Sequence, residues 1–177
     1  MSDSNQIMLC IVDVQEKLFL AMPEEIRETY VKNIANLKWM FEQLKFPILV
    51  TEQYPKGLGN TVQSLQPVDV FEKMTFSIAQ NEEIVKKIAE VKPEQVVLCG
   101  METHICVAQS CRDLCSAGVH VWVVTDGCLS RKKEDWKFGL QRMVVDGGRL
   151  ITTEAVLFEM IETAEHPLFK ELSKRVR

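Results

Sequence analysis

The sequence predicts an α/β fold: three layers, αβα, built on a doubly wound, six-stranded, mostly parallel sheet of Rossmann-like type. Three observations predict it. Strand-like and helix-like patterns alternate about six times. The strand-like runs are continuously apolar, as strands covered on both faces read. Glycine or aspartate closes several of the elements.

The first run, IMLCIVD (7–13), ends in Asp13. Residues 23–44 follow, with Ile26, Tyr30, Ile34, Leu37, Phe41 and Leu44 stepping by three and four along one helical face. Pro23 suits the first turn, and Glu24 and Glu25 complement the helix dipole. PILVTEQ (47–53) reads as the second strand, and YPKGLGNT (54–61) as a loop. VDVFEKMTFS (68–77) holds a short third strand. NEEIVKKIAEV (81–91) is a helix capped by Asn81.

EQVVLCG (94–100) is the fourth strand, stopped by Gly100. THICVAQSCRDLCSAG (103–118) is the next helix, with Thr103 as its cap and Gly118 as its stop. HVWVVTDG (120–127), a helix from about Lys132 to Asp146, RLITT (149–153) and a helix from 153 complete the pattern. Length and the lack of repeats or linkers make residues 1–177 a single domain.

Composition narrows the function. The chain has 46% hydrophobic residues and a net charge of −4, so no nucleic-acid partner is expected. No apolar run approaches the ~20 residues of a membrane span, and the first residues lack signal or transit features. A cytoplasmic location with free thiols, and no membrane partner, is the expectation.

Ligands of such sheets bind beyond the carboxyl ends of the strands. Asp13, Lys73 and Cys106 all fall there, and each has two readings. Cys106 sits in the first turn if Thr103 caps the helix, where the dipole favours a reactive thiolate; it is otherwise a packed small residue. Asp13 is a proton acceptor for a thiol or a turn cap. Lys73, in FEKMTF, supports charge at a site or snorkels at the surface.

The segments CIVDVQEKLF, TEQYPKGLGNT, FEKMTFS, LCGMETHICV and DGCLSR with LQRM together resemble the isochorismatase-like cysteine hydrolases, the family of nicotinamidases and carbamoylsarcosine amidase. They run in family order over nearly the whole chain. TEQYPKGLG and HPLFKELSK are most similar to the small isochorismatase domain-containing proteins.

The resemblance implies an isochorismatase-like hydrolase fold and an Asp–Lys–Cys triad at Asp13, Lys73 and Cys106. It also implies an oxyanion hole from the backbone N–H groups of Glu102 and Cys106, a cis peptide at Met101–Glu102, and a homo-oligomer. The implied activity is a cysteine hydrolase acting on a small-molecule amide, carbamoyl or related compound. Two other readings remain: a binding or scaffold protein that keeps the fold and triad, and, with less support, a ribonuclease.

One departure from the family matters. Nicotinamidases bind a metal after the second strand, whereas TEQYPKGLGN holds neither histidine nor aspartate. His104, His120 and His166 show no ligand spacing. No metal and no cofactor are therefore expected. Gln15, Phe19, His104 and Cys128 are candidates for the substrate pocket; Trp136 reads as core or an oligomer contact. Cys10, Cys99, Cys111 and Cys115 read as core.

Overall fold

The computed structural model describes residues 7–66 and 68–177. Among these residues, six parallel strands form one sheet: β1 (Ile7–Val12), β2 (Ile48–Gln53), β3 (Val70–Lys73), β4 (Gln95–Met101), β5 (His120–Leu129) and β6 (Arg149–Ile151). Their order is β3-β2-β1-β4-β5-β6. The chain thus winds outward in both directions from the β1–β4 pair. That pair is the switch point, where a crevice opens at the strand ends.

Among the described residues, eight α-helices surround the sheet: α1 (Glu16–Leu20), α2 (Glu24–Gln43), α3 (Pro55–Leu58), α4 (Glu82–Val91), α5 (Ala108–Ser116), α6 (Lys133–Val145), α7 (Thr153–Ile161) and α8 (Phe169–Arg175). Residues 1–6, on which the expectation of no signal or transit segment rests, lie outside the described residues. No helix among the described residues is long and apolar enough to cross a membrane.

Strand alternation divides the core. Leu9 and Ile11 of β1, with Val97 and Cys99 of β4, pack under Tyr30, Ile34, Leu37 and Phe41 of α2 and Leu157 of α7. Met8, Cys10 and Val12, with Val96 and Leu98, face Ile84, Cys111, Leu114 and Met143 on α4, α5 and α6. Both faces are dry, which is why the strand sequences show no polar alternation. Most of the predicted α2 stripe is buried, but its first residue, Ile26, is 41% exposed. Asn81 caps α4 as expected, its Oδ1 accepting from Ile84 N at 3.1 Å.

Two details depart from the sequence reading. β5 runs to Leu129 rather than stopping at Gly127, because its register slips against β4 between Leu98 and Gly100 and pairing then resumes at Cys128. Pro23 stands just before α2 rather than inside its first turn. At Gly100, φ is +131°, and a Cβ there would lie 2.0 Å from the Val12 carbonyl oxygen. Only glycine lets β4 pass β1 so closely at the switch point.

Candidate active site

Three strand ends supply the site. Asp13 leaves β1 with φ +54°, a left-handed turn that redirects its side chain. Its carboxylate is wholly buried. Oδ1 accepts from Thr51 Oγ1 at 2.7 Å and Oδ2 from Lys73 Nζ at 2.7 Å. The carboxylate is therefore paired and is not a turn cap.

Lys73, the last residue of β3, is 2% exposed and does not snorkel. Four oxygens surround its ammonium: Asp13 Oδ2, Gln53 Oε1 at 2.8 Å, and the Thr75 and Phe76 carbonyls at 3.1 Å each. A buried cation needs such a cage, since burial removes its water.

Cys106 stands beside this pair, 6% exposed. The sequence reading placed it in the first turn of an α-helix capped by Thr103. Instead, Thr103–Val107 form a π-helical turn, and α5 begins at Ala108. Thr103 is buried and caps nothing. The Cys106 carbonyl accepts from Ser110 Oγ at 2.6 Å.

Burial, and then the Asp13 carboxylate, push the Cys106 thiol up to about 12, while the Lys73 ammonium pulls it the other way. Desolvation outweighs the helix start in its effect on this thiol.

Glu102 is buried beside the turn, and the Met101–Glu102 peptide is cis, as the resemblance implied. Its Oε2 accepts from Arg131 N at 3.2 Å and Arg131 Nε at 3.0 Å. Arg131 was not singled out in the sequence, although DGCLSR contains it. Thr51 and Gln53 were likewise missed; their signal lay in TEQ, the polar end of an otherwise apolar strand.

The pocket candidates scatter. Gln15 is wholly buried. Its amide donates to the Gln53 and Gly59 carbonyls at 3.0 and 2.7 Å and accepts from Gln53 N at 2.7 Å, bracketing the loop after β2. Phe19 packs against the α2 side of the core, with the Arg27 guanidinium 6.0 Å from its ring. His104 Nδ1 lies 3.0 Å from Ser130 Oγ, and Nε2 lies 3.9 Å from Asp135. Cys128 lines a cavity that none of Asp13, Lys73 and Cys106 lines. Among the described residues no three His, Cys, Asp or Glu groups converge as metal donors.

With this geometry in hand, likeness to known proteins becomes informative. The isochorismatase domain model matches residues 7–155. The chain belongs to the isochorismatase domain family. Isochorismatase domain-containing protein 2 of Xenopus laevis is 37% identical over 178 residues, covering 97% of this chain and 82% of the relative. The zebrafish (Danio rerio) protein of the same name is 37% identical, covering 94% and 85%.

Among solved structures, the MAR1 ribonuclease of Caenorhabditis elegans superposes with a TM-score of 0.85 at 32% identity, covering 98% of this chain and 91% of that one. The Escherichia coli YcaC product, described as an octameric hydrolase of unknown specificity, gives 0.88 at 20% identity, covering 98% and 89%. At that identity the second likeness bears on the isochorismatase-like fold alone. Membership of this family, generally one of hydrolases, supports a hydrolase.

Proposed function

We propose that this protein is a metal-free cysteine hydrolase of a small amide, carbamoyl or related compound. The observation that carries the reading is the buried Lys73–Asp13 pair set beside the Cys106 thiol. A resting thiol needs a base at the moment of attack, and Asp13 is the carboxylate at hand.

In the proposed cycle, Asp13 takes the thiol proton as Cys106 Sγ bonds to the substrate's carbonyl carbon. The carbonyl electron pair moves onto oxygen, and the backbone N–H groups of Glu102 and Cys106 hold that oxyanion. Collapse breaks the bond to the amine, which leaves with the proton from Asp13. A thioester remains. Water then attacks it, giving a proton to Asp13, and the sulfur leaves and regains that proton. Lys73 fixes the carboxylate and balances its charge throughout.

The test uses a panel of small amides and carbamoyl compounds with intact-mass detection of an acyl-enzyme. Hydrolysis lost in both Cys106→Ala and Asp13→Asn, with an adduct confined to Cys106, supports the reading. Hydrolysis that survives Cys106→Ala removes the nucleophile. Failure across the panel, with no adduct, favours the scaffold reading.

A ribonuclease is the second reading, favoured by the likeness to the Caenorhabditis elegans MAR1 ribonuclease. The net charge of −4 weighs against it. RNA cleavage that disappears in Cys106→Ala would revive it. A homo-oligomer is part of the same proposal, supported by the octameric YcaC neighbour, as is a cytoplasmic location.

A further inference from the structure

β4 and β5 end side by side, with Met101 paired to Leu129. The first residues past each strand therefore lie against one another, and side chains tie them together. Glu102 Oε2 accepts from Arg131 N at 3.2 Å and from Arg131 Nε at 3.0 Å, and His104 Nδ1 lies 3.0 Å from Ser130 Oγ. The Glu102 carbonyl, in turn, accepts from Ile105 N and Val107 N at 3.1 and 3.3 Å. Glu102 thus joins the turn that carries Cys106 to the segment after β5.

The link is also one of charge. Glu102 is 5% exposed, and a carboxylate so buried is costly unless a cation answers it. Arg131 is that cation, reaching in from a side chain that is 57% exposed. Asp135 also attracts Arg131, after Glu102.

The charge on Glu102 bears on the thiol. Asp13, Lys73 and Glu102 are the charged groups that act on Cys106. Behind burial and Asp13, the Glu102 carboxylate also pushes the thiol up, while Lys73 opposes them. Asp13 and Lys73 answer each other at 2.7 Å, which leaves Glu102 to Arg131.

We infer that Arg131 is a positioning residue for Cys106: through the Glu102 carboxylate it fastens the thiol's turn to the end of β5 and offsets a negative charge that opposes a thiolate. A bare Glu102 carboxylate would also repel an oxyanion held on that residue's own N–H. The inference rests on Cys106 being the reacting group proposed above. Its test reads labelling rather than turnover, so it can fail while hydrolysis stands, and stand where no substrate is found.

The full chain and its variants are labelled with iodoacetamide, a neutral reagent, at one fixed pH. Peptide mass mapping reads the rate at Cys106, which tracks the thiolate fraction. Arg131→Met should slow it about three- to tenfold, the effect of one uncompensated charge nearby. Arg131→Lys keeps the charge and should stay within about twofold of the parent. Glu102→Gln should speed labelling. Glu102→Gln combined with Arg131→Met should return to within about twofold of the parent, since both charges are gone.

A purely structural tie gives another pattern, because a loosened turn admits water and speeds labelling in both single variants. Labelling that is faster or unchanged in Arg131→Met overturns the inference. So does a double variant as slow as Arg131→Met, or Arg131→Lys as slow as Arg131→Met. Should Arg131→Met not fold, Arg131→Gln removes the same charge and is read by the same outcomes.

Discussion

Lys73 Nζ lies 2.7 Å from Asp13 Oδ2, and neither side chain reaches solvent. The two residues are 60 positions apart and end strands that are not neighbours, since β2 runs between them. β2 adds Thr51 to the carboxylate and Gln53 to the ammonium. One buried charge is thus answered by the other, and the strand in the middle, with the Thr75 and Phe76 carbonyls on the ammonium, meets the remaining polar capacity.

Breaking this pair on one side leaves a buried charge alone. Lys73→Met should destabilise the fold by about 3–5 kcal/mol, because the buried Asp13 carboxylate then has no cation beside it. Asp13→Asn combined with Lys73→Met should recover part of that loss, since no ion is left buried. Urea unfolding midpoints measure both. A single variant as stable as the parent would mean the pair is hydrated in solution.

The state of Cys106 gives a kinetic prediction. Its thiol is raised to about 12 by burial and by Asp13, so almost none is thiolate near pH 7. Iodoacetamide labelling at Cys106 should be slower than that of a small free thiol. It should rise roughly tenfold per pH unit, tracking the thiolate fraction, with no plateau below about pH 10. Peptide mapping after timed quenching reads the rate. A plateau near pH 8 would show a resting thiolate and remove the need for Asp13 as base.

Much of this was legible from residue patterns. Continuous apolar runs such as IMLCIV and QVVLCG can be covered only by helices on both faces, so the sheet followed from them. Motifs at strand ends placed Asp13, Lys73 and Cys106 correctly at one edge. The short helices α1, α3 and α8 were not legible as helices, because segments of four to seven residues show little periodicity. Nor was the turn at Thr103: its sequence resembles an N-cap, and packing against α6 decides its shape. What the Gln15 amide holds was not legible, because a buried amide that ties backbone together reads the same as one that meets a ligand.

The buried thiols also set an alkaline limit to stability. Burial raises Cys10 to about 12, and it raises Cys99, Cys111 and Cys128 as well as Cys106. An unfolded thiol ionises near pH ~8.5. Below that value both states are protonated and stability is intact. Above it the unfolded chain releases protons that the folded chain retains, so stability falls as pH rises toward the folded values. Each buried thiol should cost about 1.4 kcal/mol by pH ~9.5. Urea midpoints should be flat from about pH 7 to 8 and then drop steeply, and Cys10→Ala should soften the drop. A midpoint unchanged at pH ~10 would contradict the burial of these groups.

The thiol-bearing turn depends on a glycine in a different helix. A Cβ on Gly139 of α6 would lie 2.9 Å from His104 Cα, 3.0 Å from His104 N and 3.1 Å from the Thr103 carbonyl carbon. These are backbone atoms, so no side chain can rotate away. Gly139→Ala must therefore push α6 from the Thr103–Val107 turn or shift the turn itself. Alanine also favours helix over glycine by about 1 kcal/mol, which opposes the strain. Overpacking costs about 1–3 kcal/mol, so the net loss of stability should be small. The displacement should show instead at Cys106, as faster alkylation at fixed pH when the turn loosens and water reaches the thiol. If stability rises and labelling is unchanged, α6 does not hold the turn.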